Sequence, residues 1–231
     1  MKNIAIIVAG GSGTRFGGPV PKQFVPLLGR PVLMRTLERF SQYFAAESMM
    51  EGQVILVLPA AHIPTWESLC RQYDFRVTHT LVEGGATRYH SVLNGLNAIG
   101  KACRGDVVAI HDGVRPLVPE HVIRTAFETA RETGSAIPVV SLTDSVRAVD
   151  GDGKSHALVR SSLRAVQTPQ AFDLSLLKLA YKSPYQSAFT DDASVYENAG
   201  HEVTLIEGSV SNIKITGTKD LAIAELLLND E

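Results

Sequence analysis

The sequence predicts an α/β fold, a mostly parallel sheet with helices on both faces. Short apolar runs alternate with segments of helical period as far as Val140. The runs are continuously apolar, as strands covered on both faces are. Three loops rich in glycine and charge, 9–22, 83–91 and 111–116, each follow such a run. In sheets of this kind ligands bind beyond the carboxyl ends of the strands.

Each element has its own signal. Ile4–Val8 reads as the first strand. Leu33, Leu37, Phe40 and Phe44 recur at helical spacing, so a helix starts at Pro31 with proline in its first turn. Val54–Leu58 is a second buried strand, stopped by Pro59, and Trp66, Leu69, Cys70 and Tyr73 mark a second helix. Val77–Val82 reads as a strand entering Glu83-Gly84-Gly85, followed by a helix with the stripe Tyr89, Val92, Leu93, Leu96 and Ile99. Val107–Ile110 is a strand ending at His111-Asp112-Gly113. Val122, Ile123, Ala126, Phe127 and Ala130 give the next helix, and Ala136–Val140 the next strand.

The pattern breaks over Ser141–Thr168, a polar stretch with Asp150-Gly151-Asp152-Gly153 between Ser145–Val149 and His156–Val159. It reads as a hairpin with a tight turn, either an arm, lid or dimer contact or a plain solvent-exposed excursion. Helical signal resumes near Asp173 and after Asp191; Val203–Ile206 and Ile213–Ile215 read as short strands, and Leu221–Leu228 as an apolar closing helix. The expectation is one domain over 1–231 with a hairpin arm at about 141–168.

The chain has 231 residues, 45% hydrophobic and 20% charged, enough for a sizeable core. A net charge of −2 implies no general attraction to a nucleic acid polymer or a membrane, so any cationic site is local. Cys70 and Cys103 form no CxxC pair, and the first apolar run is too short for a signal peptide core, which points to a reducing cytoplasm. No stretch approaches the roughly 20 apolar residues of a membrane span. The histidines show no ligand-like spacing, so a zinc site is not expected.

The first loop, Ala9 to Phe24, carries Gly10, Gly11, Gly13, Gly17 and Gly18, then the cations Arg15 and Lys22. Exposed backbone N–H groups beside fixed cations suit a polyphosphate. A dinucleotide turn fails, because GxGxxG started at Gly11 meets Phe16 at its sixth position and 30–37 holds no acidic residue. A Walker loop fails because no Gly-Lys-Ser/Thr follows. A nucleoside-triphosphate loop of the nucleotidyltransferase kind fits, with Arg15 and Lys22 stabilising charge.

In the second loop, Arg88 and Ser91 lie three apart at a helix start, where they suit a base, ribose or phosphate; helix capping by Thr87 with a surface arginine is the competing reading. In the third, Asp112 at a strand terminus suits Mg²⁺, directly or through water, or is a turn residue. Gly113 lets substrate approach the backbone, Arg115 adds an anion-binding fork, and His111 is a packed strand-end residue. Thr190 reads as the cap of a helix over Asp191-Asp192-Ala193-Ser194 and as a candidate substrate contact. Lys214, opposite Ile213 and Ile215, is an ordinary surface lysine by alternation, and Arg160 stands alone at the end of the hairpin.

Taken in order, GGxGxRxG, Pro-Lys-Gln, GGxxR, HDxxRP, a Thr-Pro-Gln turn (Thr168–Gln170), TDxAS and NIKxT resemble the 2-C-methyl-D-erythritol 4-phosphate cytidylyltransferase family over nearly the whole chain. The resemblance implies a Rossmann-like fold of the nucleotide-diphospho-sugar transferase type. It also implies a reaction of isoprenoid synthesis: CTP plus methylerythritol phosphate gives the CDP-polyol and pyrophosphate, with Mg²⁺. By match to the family pattern, Arg15 and Lys22 stabilise the transition state at the α-phosphate, while Arg160 and Lys214 position the polyol phosphate. Ala9, Gly10, Gly11, Ser12 and Gly13 belong to the nucleotide site with Lys22 and Gly113. Gly84, Arg88 and Ser91 face cytidine or ribose. Asp112 lies near the metal and the substrate hydroxyls; Arg115, Ser145 and Thr190 belong to the substrate side. The arm implies a homodimer in which Arg160 acts in the partner's site. Many family members carry Ala-Ala at Gly10-Gly11 and at Gly113-Val114. The second change touches the polyol side and keeps ribitol-5-phosphate cytidylyltransferase as the alternative; a non-catalytic nucleotide-binding module is the further one.

Overall fold

The computed structural model describes residues 1–10, 20–47 and 50–229. Strand β1 (Lys2–Val8) lies in the middle of the main sheet. A minimal hairpin, β2 (Pro26–Leu27) with β3 (Arg30–Pro31), precedes helix α1 (Val32–Ala46). Pro31 fits the position before the first helical residue because its missing N–H is not needed there. Strand β4 (Glu51–Leu58), helix α2 (Ile63–Gln72), strand β5 (Thr80–Glu83), helix α3 (Arg88–Ala98) and strand β6 (Val107–Asp112) follow. β1 pairs in parallel with β4 and β6, and β4 with β5, so Val8, Leu58, Glu83 and Asp112 end at one edge.

Helix α4 (Glu120–Thr133) ends at Gly134, whose positive φ of 94° suits glycine. Strand β7 (Ser135–Ser141) leads into the arm, β8 (Arg147–Val149) paired with β9 (Ser155–Ala157). β10 (Arg164–Val166) and β11 (Gln170–Asp173) return antiparallel to β7, and β11 also pairs antiparallel with β6. Helices α5 (Leu174–Ala180) and α6 (Asp192–Asn198), strand β12 (Leu205–Glu207) beside β7, and helix α7 (Thr218–Asn229) complete the order.

Strand alternation divides the core in two. Ala5, Ile7, Leu56 and Ala109 face α1, α2 and α4, packing on Leu33, Phe40, Trp66 and Phe127. Ile4, Ile6, Val57, Val108 and Ile110 face α3, α5 and α6, packing on Val92, Leu96, Leu177 and Tyr196. A third cluster of Leu27, Val32, Val114, Leu117, Ile215 and Ala224 seats α7 against the β2–β3 hairpin. It holds the segment before α7 over the carboxyl edge of the sheet.

Four local expectations change, among them the strand expected over Val203–Ile206, which spans Leu205–Glu207. The strand expected over Val77–Val82 begins at Thr80, since only 80–83 reach the backbone of β4. Ile213–Ile215 form no strand; Ile215 donates a single backbone bond to Val114 O at 2.9 Å and is buried by packing alone. The cap of α6 is Asp191, which accepts from Ser194 N at 2.9 Å while Ser194 Oγ reaches back to the Asp191 amide. Thr190 lies one residue earlier and is exposed. β10 and β11 were not expected, and they make the sheet mixed at that side.

Candidate active site

A cleft of about 340 Å³ opens at the carboxyl edge. Val8, Ala9 and Gly10 bring the end of β1; Lys22 and Gln23 a 3-10 turn; Gly85 to Arg88 and Ser91 the start of α3; Asp112 and Val114 the end of β6; Lys214 the segment before α7. The sequence-predicted residues Ala9, Gly10, Lys22, Arg88, Ser91, Asp112 and Lys214 therefore share one wall-to-wall space. Arg15, Gly11, Ser12 and Gly13 lie outside the described residues.

At its centre Asp112, 8% exposed, accepts from Lys214 Nζ at 2.9 Å and from Arg115 Nε at 3.2 Å. Burial pushes its carboxyl up, but the charges of Lys214, Arg88 and Arg115 outweigh that and hold it well below the usual carboxylate range. It is an anion at neutral pH. Its backbone is placed by Thr168, whose Oγ1 accepts from Asp112 N at 3.1 Å. That hydroxyl also lies 3.1 Å from His111 Nδ1. Arg115 O, which can only accept, lies 3.1 Å from His111 Nε2, so the proton sits on Nε2 and Nδ1 receives the Thr168 hydroxyl. Burial lowers the His111 pKa to about 4, which keeps the ring neutral and makes it a packed strand-end residue against Phe40.

Arg115 is not a free anion fork. Its Nε holds Asp112, its Nη1 donates to Asn212 O at 2.7 Å, and the side chain is 11% exposed. Asn212 Nδ2 in turn donates to Thr168 O at 2.8 Å. This web ties the Asn212-Ile213-Lys214 segment to the end of β6. Asp220 closes the segment's other side, accepting from Thr216 N at 2.7 Å, Thr216 Oγ1 at 2.6 Å and Gly217 N at 2.9 Å. The Thr216 hydroxyl bond is the main cause that lowers the Asp220 pKa, and the charge of Lys22 adds to it. Gly113 is buried behind the cleft. A Cβ there would lie 2.8 Å from Ala9 Cβ and 3.0 Å from Leu33 Cδ1, so close packing between β1, α1 and β6 accounts for a glycine at this position.

Thr87 caps α3, its hydroxyl accepting from His90 N, and Ser91 Oγ bonds both Gly85 N at 3.1 Å and Thr87 O at 2.9 Å. The cap and the site coincide: the same bonds shape the loop that lines the cleft. Gly84 sits behind it, bonded to Leu58 O at 2.8 Å, with Ser91 Oγ 3.2 Å from where its Cβ would be. Arg88 makes a bidentate pair with Asp192, at 3.0 and 2.6 Å. Burial lowers its pKa, and the Asp192 charge more than reverses that, so Arg88 stays protonated. Asp192 is fully buried and also accepts from Tyr181 Oη at 2.7 Å. Gln170 Oε1 receives the amides of Asp192 and Ala193. The Thr-Pro-Gln turn thus anchors Asp112 through Thr168 and Asp192 through Gln170. Asp192 left only the trace of a second acid beside the capping Asp191, and Gln170 stood in the Thr-Pro-Gln turn without a role of its own.

Ser145 and Arg160 are exposed on the arm and do not line the cleft. Arg160 Nη1 donates to Thr143 O at 2.6 Å. Among the described residues no group of three or more His, Cys, Asp or Glu side chains could hold a metal, and no helix is long and apolar enough to cross a membrane.

The family model for 2-C-methyl-D-erythritol 4-phosphate cytidylyltransferase matches residues 3–230. The protein of that name from Phocaeicola vulgatus is 46% identical over 229 residues, covering 99% of this chain and 100% of that protein. The one from Geobacillus thermodenitrificans is 39% identical over 226 residues, covering 97% and 96%. Among solved structures, the enzyme of that name from Thermus thermophilus superposes with a TM-score of 0.77 at 30% identity, covering 99% and 100%. The 4-diphosphocytidyl-2C-methyl-D-erythritol synthase from Anaerococcus prevotii superposes with a TM-score of 0.80 at 28% identity, covering 99% and 98%.

Proposed function

The chain belongs to the 2-C-methyl-D-erythritol 4-phosphate cytidylyltransferase family, and we propose that it transfers CMP from CTP to methylerythritol 4-phosphate with release of pyrophosphate. The observation that carries the reading is the meeting of Lys22, Arg88, Asp112 and Lys214, from four separate segments, on one cleft. A phosphate oxygen of the polyol attacks the α-phosphorus of CTP; the bond to the bridging oxygen breaks and pyrophosphate leaves with its electron pair. The nucleophile has a second pKa of about 6 and is a dianion at neutral pH. It needs no general base, and none of the described cleft residues is a neutral base poised for one.

What the reaction needs is charge neutralisation and in-line alignment. Lys22 meets the triphosphate beside Ala9, Gly10 and the start of α3; by the family pattern Arg15 acts on the same group. Lys214, held by Asp112 in the free enzyme, turns to the polyol phosphate. Arg88, braced by Asp192, and Ser91 face the nucleoside. Arg115 acts through Asp112 and Asn212, not by touching substrate. Asp112 would hold Mg²⁺, which neutralises triphosphate charge; as the single carboxylate among the described residues that line the cleft, it fits an ion whose other ligands are phosphate oxygens and water.

The arm supports a homodimer. Residues 150–162 are exposed throughout, and Val149 and Val159 are 67% and 70% exposed on a segment that carries Arg160. In the dimer Arg160 and Ser145 reach the partner's cleft; Thr190, which does not line the cleft, belongs to the substrate side by the family pattern. The free thiols Cys70 and Cys103 support a cytoplasmic setting. The test of the dimer is a 1:1 mixture of Lys22→Ala and Arg160→Ala chains. Each homodimer should be nearly inactive, and subunit exchange should restore about a quarter of native activity. No recovery on exchange would show that Arg160 does not act across an interface.

A further inference from the structure

Gln23 follows Lys22 in its turn yet is only 1% exposed. Its Nε2 lies 3.2 Å from Ala9 O and 3.1 Å from His62 Nδ1. A backbone carbonyl can only accept, so the NH₂ end of the amide must face Ala9. The second hydrogen of that NH₂ then meets Nδ1, which is the unprotonated nitrogen of the His62 ring. One buried group thus spends both donors on two separate segments.

Each acceptor is itself fixed. Ala9 N donates to Val57 O at 3.0 Å, so the residue is bonded at both ends where β1 gives way to the glycine-rich stretch. His62 N donates to Pro59 O at 2.8 Å, and its ring meets Phe24 edge-on at 5.7 Å. Phe24 stacks on buried Trp66 at 6.4 Å. The turn Lys22–Phe24 closes with Phe24 N on Pro21 O at 2.8 Å. Lys22 is thus carried by a turn clamped on one side to the end of β1 and on the other to the connection after β4.

We propose that Gln23 is a positioning residue for nucleotidyl transfer: it fixes the Lys22 turn against Ala9, and so sets where the Lys22 ammonium meets the triphosphate. This rests on the function proposed above. Both of its donors are used inside the protein, so Gln23 has no hydrogen left to offer an anionic substrate. Its effect passes through Lys22, and misplacing a catalytic cation by about 1 Å can cost up to about 100-fold in rate.

The test is a double-mutant cycle of Gln23→Met and Lys22→Ala, with pyrophosphate release from CTP and methylerythritol phosphate as the readout. Met keeps the length of the side chain and removes the donors. Gln23→Met should lower kcat by about 10- to 100-fold while the KM for the polyol phosphate stays within about twofold. Beside Lys22→Ala, the same change should alter kcat by less than about twofold, because the group it positions is gone. His62→Phe, which keeps the Ala9 bond, should show a smaller loss of the same kind and serves if Gln23→Met does not fold. An equal loss in both backgrounds, or a loss confined to the polyol KM, would overturn the proposal. A native chain that releases no pyrophosphate would refute the reaction instead. CTP affinity by calorimetry then carries the test: Gln23→Met must weaken it in the native chain and leave it unchanged beside Lys22→Ala.

Discussion

Replacing Arg88 by methionine should destabilise the protein more than replacing its partner Asp192 by asparagine. The two side chains differ in their access to water: that of Asp192 is 0% exposed and that of Arg88 is 32% exposed. Without Arg88, a buried carboxylate keeps only the Tyr181 hydroxyl and the first turn of α6 for support. Removing one partner of a buried pair costs about 3–5 kcal/mol, and Arg88→Met should fall in that range. Without the Asp192 charge, the guanidinium can turn to cleft water, and the asparagine oxygen still accepts from Tyr181, so Asp192→Asn should cost about 2 kcal/mol. The double variant should cost less than the two single costs added, with a coupling of about 2 kcal/mol. Urea unfolding at pH 7 of the four proteins measures this. Equal costs, or both below about 1 kcal/mol, would refute the claim that the pair is a buried brace.

Three further outcomes follow from the same web. His111 is held neutral by burial with a pKa of about 4, so the unfolded chain takes up a proton that the folded site refuses. Stability should fall by about 3 kcal/mol as pH drops from about 6.5 towards 4, and His111→Gln should flatten that slope in thermal melts. Asp112 has the opposite sign: its depressed pKa contributes stability above the ordinary carboxylate pKa that is lost below about pH 4, and Asp112→Asn should remove this acid step. Lys214→Met should raise the KM for the polyol phosphate at least tenfold and leave CTP affinity within about twofold, measured by steady-state kinetics and calorimetry.

The long apolar runs announced β1, β4, β6 and β7 because strands covered on both faces need no polar alternation. β10 and β11 were hidden for the converse reason. Arg164–Val166 and Gln170–Asp173 are three and four residues long, and they exist because β6 and β7 offer them backbone partners from residues 107–141. Ile213–Ile215 shows the reverse failure: the alternation is real, but no neighbouring strand among the described residues pairs with it. In the site, residues that touch ligands by family pattern carried visible motifs. Those that hold them in place did not, since a bond such as Arg88 to Asp192 joins positions 104 apart in the chain. Gln23, Thr168 and Gln170 stood inside visible motifs, but amide and hydroxyl side chains carry no sign of which carbonyl or amide they will meet. Lys214 looked like a surface lysine and is one by exposure, at 44%; only the fold shows that its ammonium ends on Asp112.

CMP transfer in this cleft requires its cations to bring two anions together. The direct measurement is pyrophosphate release with each of the four nucleoside triphosphates, with and without methylerythritol 4-phosphate or ribitol 5-phosphate, in Mg²⁺. Release should require CTP and a polyol phosphate together, with the higher kcat/KM for methylerythritol 4-phosphate, and Lys22→Ala should reduce it by at least about 100-fold. Release that favours ribitol 5-phosphate, or CTP binding without release from either polyol, would show that the cleft does not make CDP-methylerythritol.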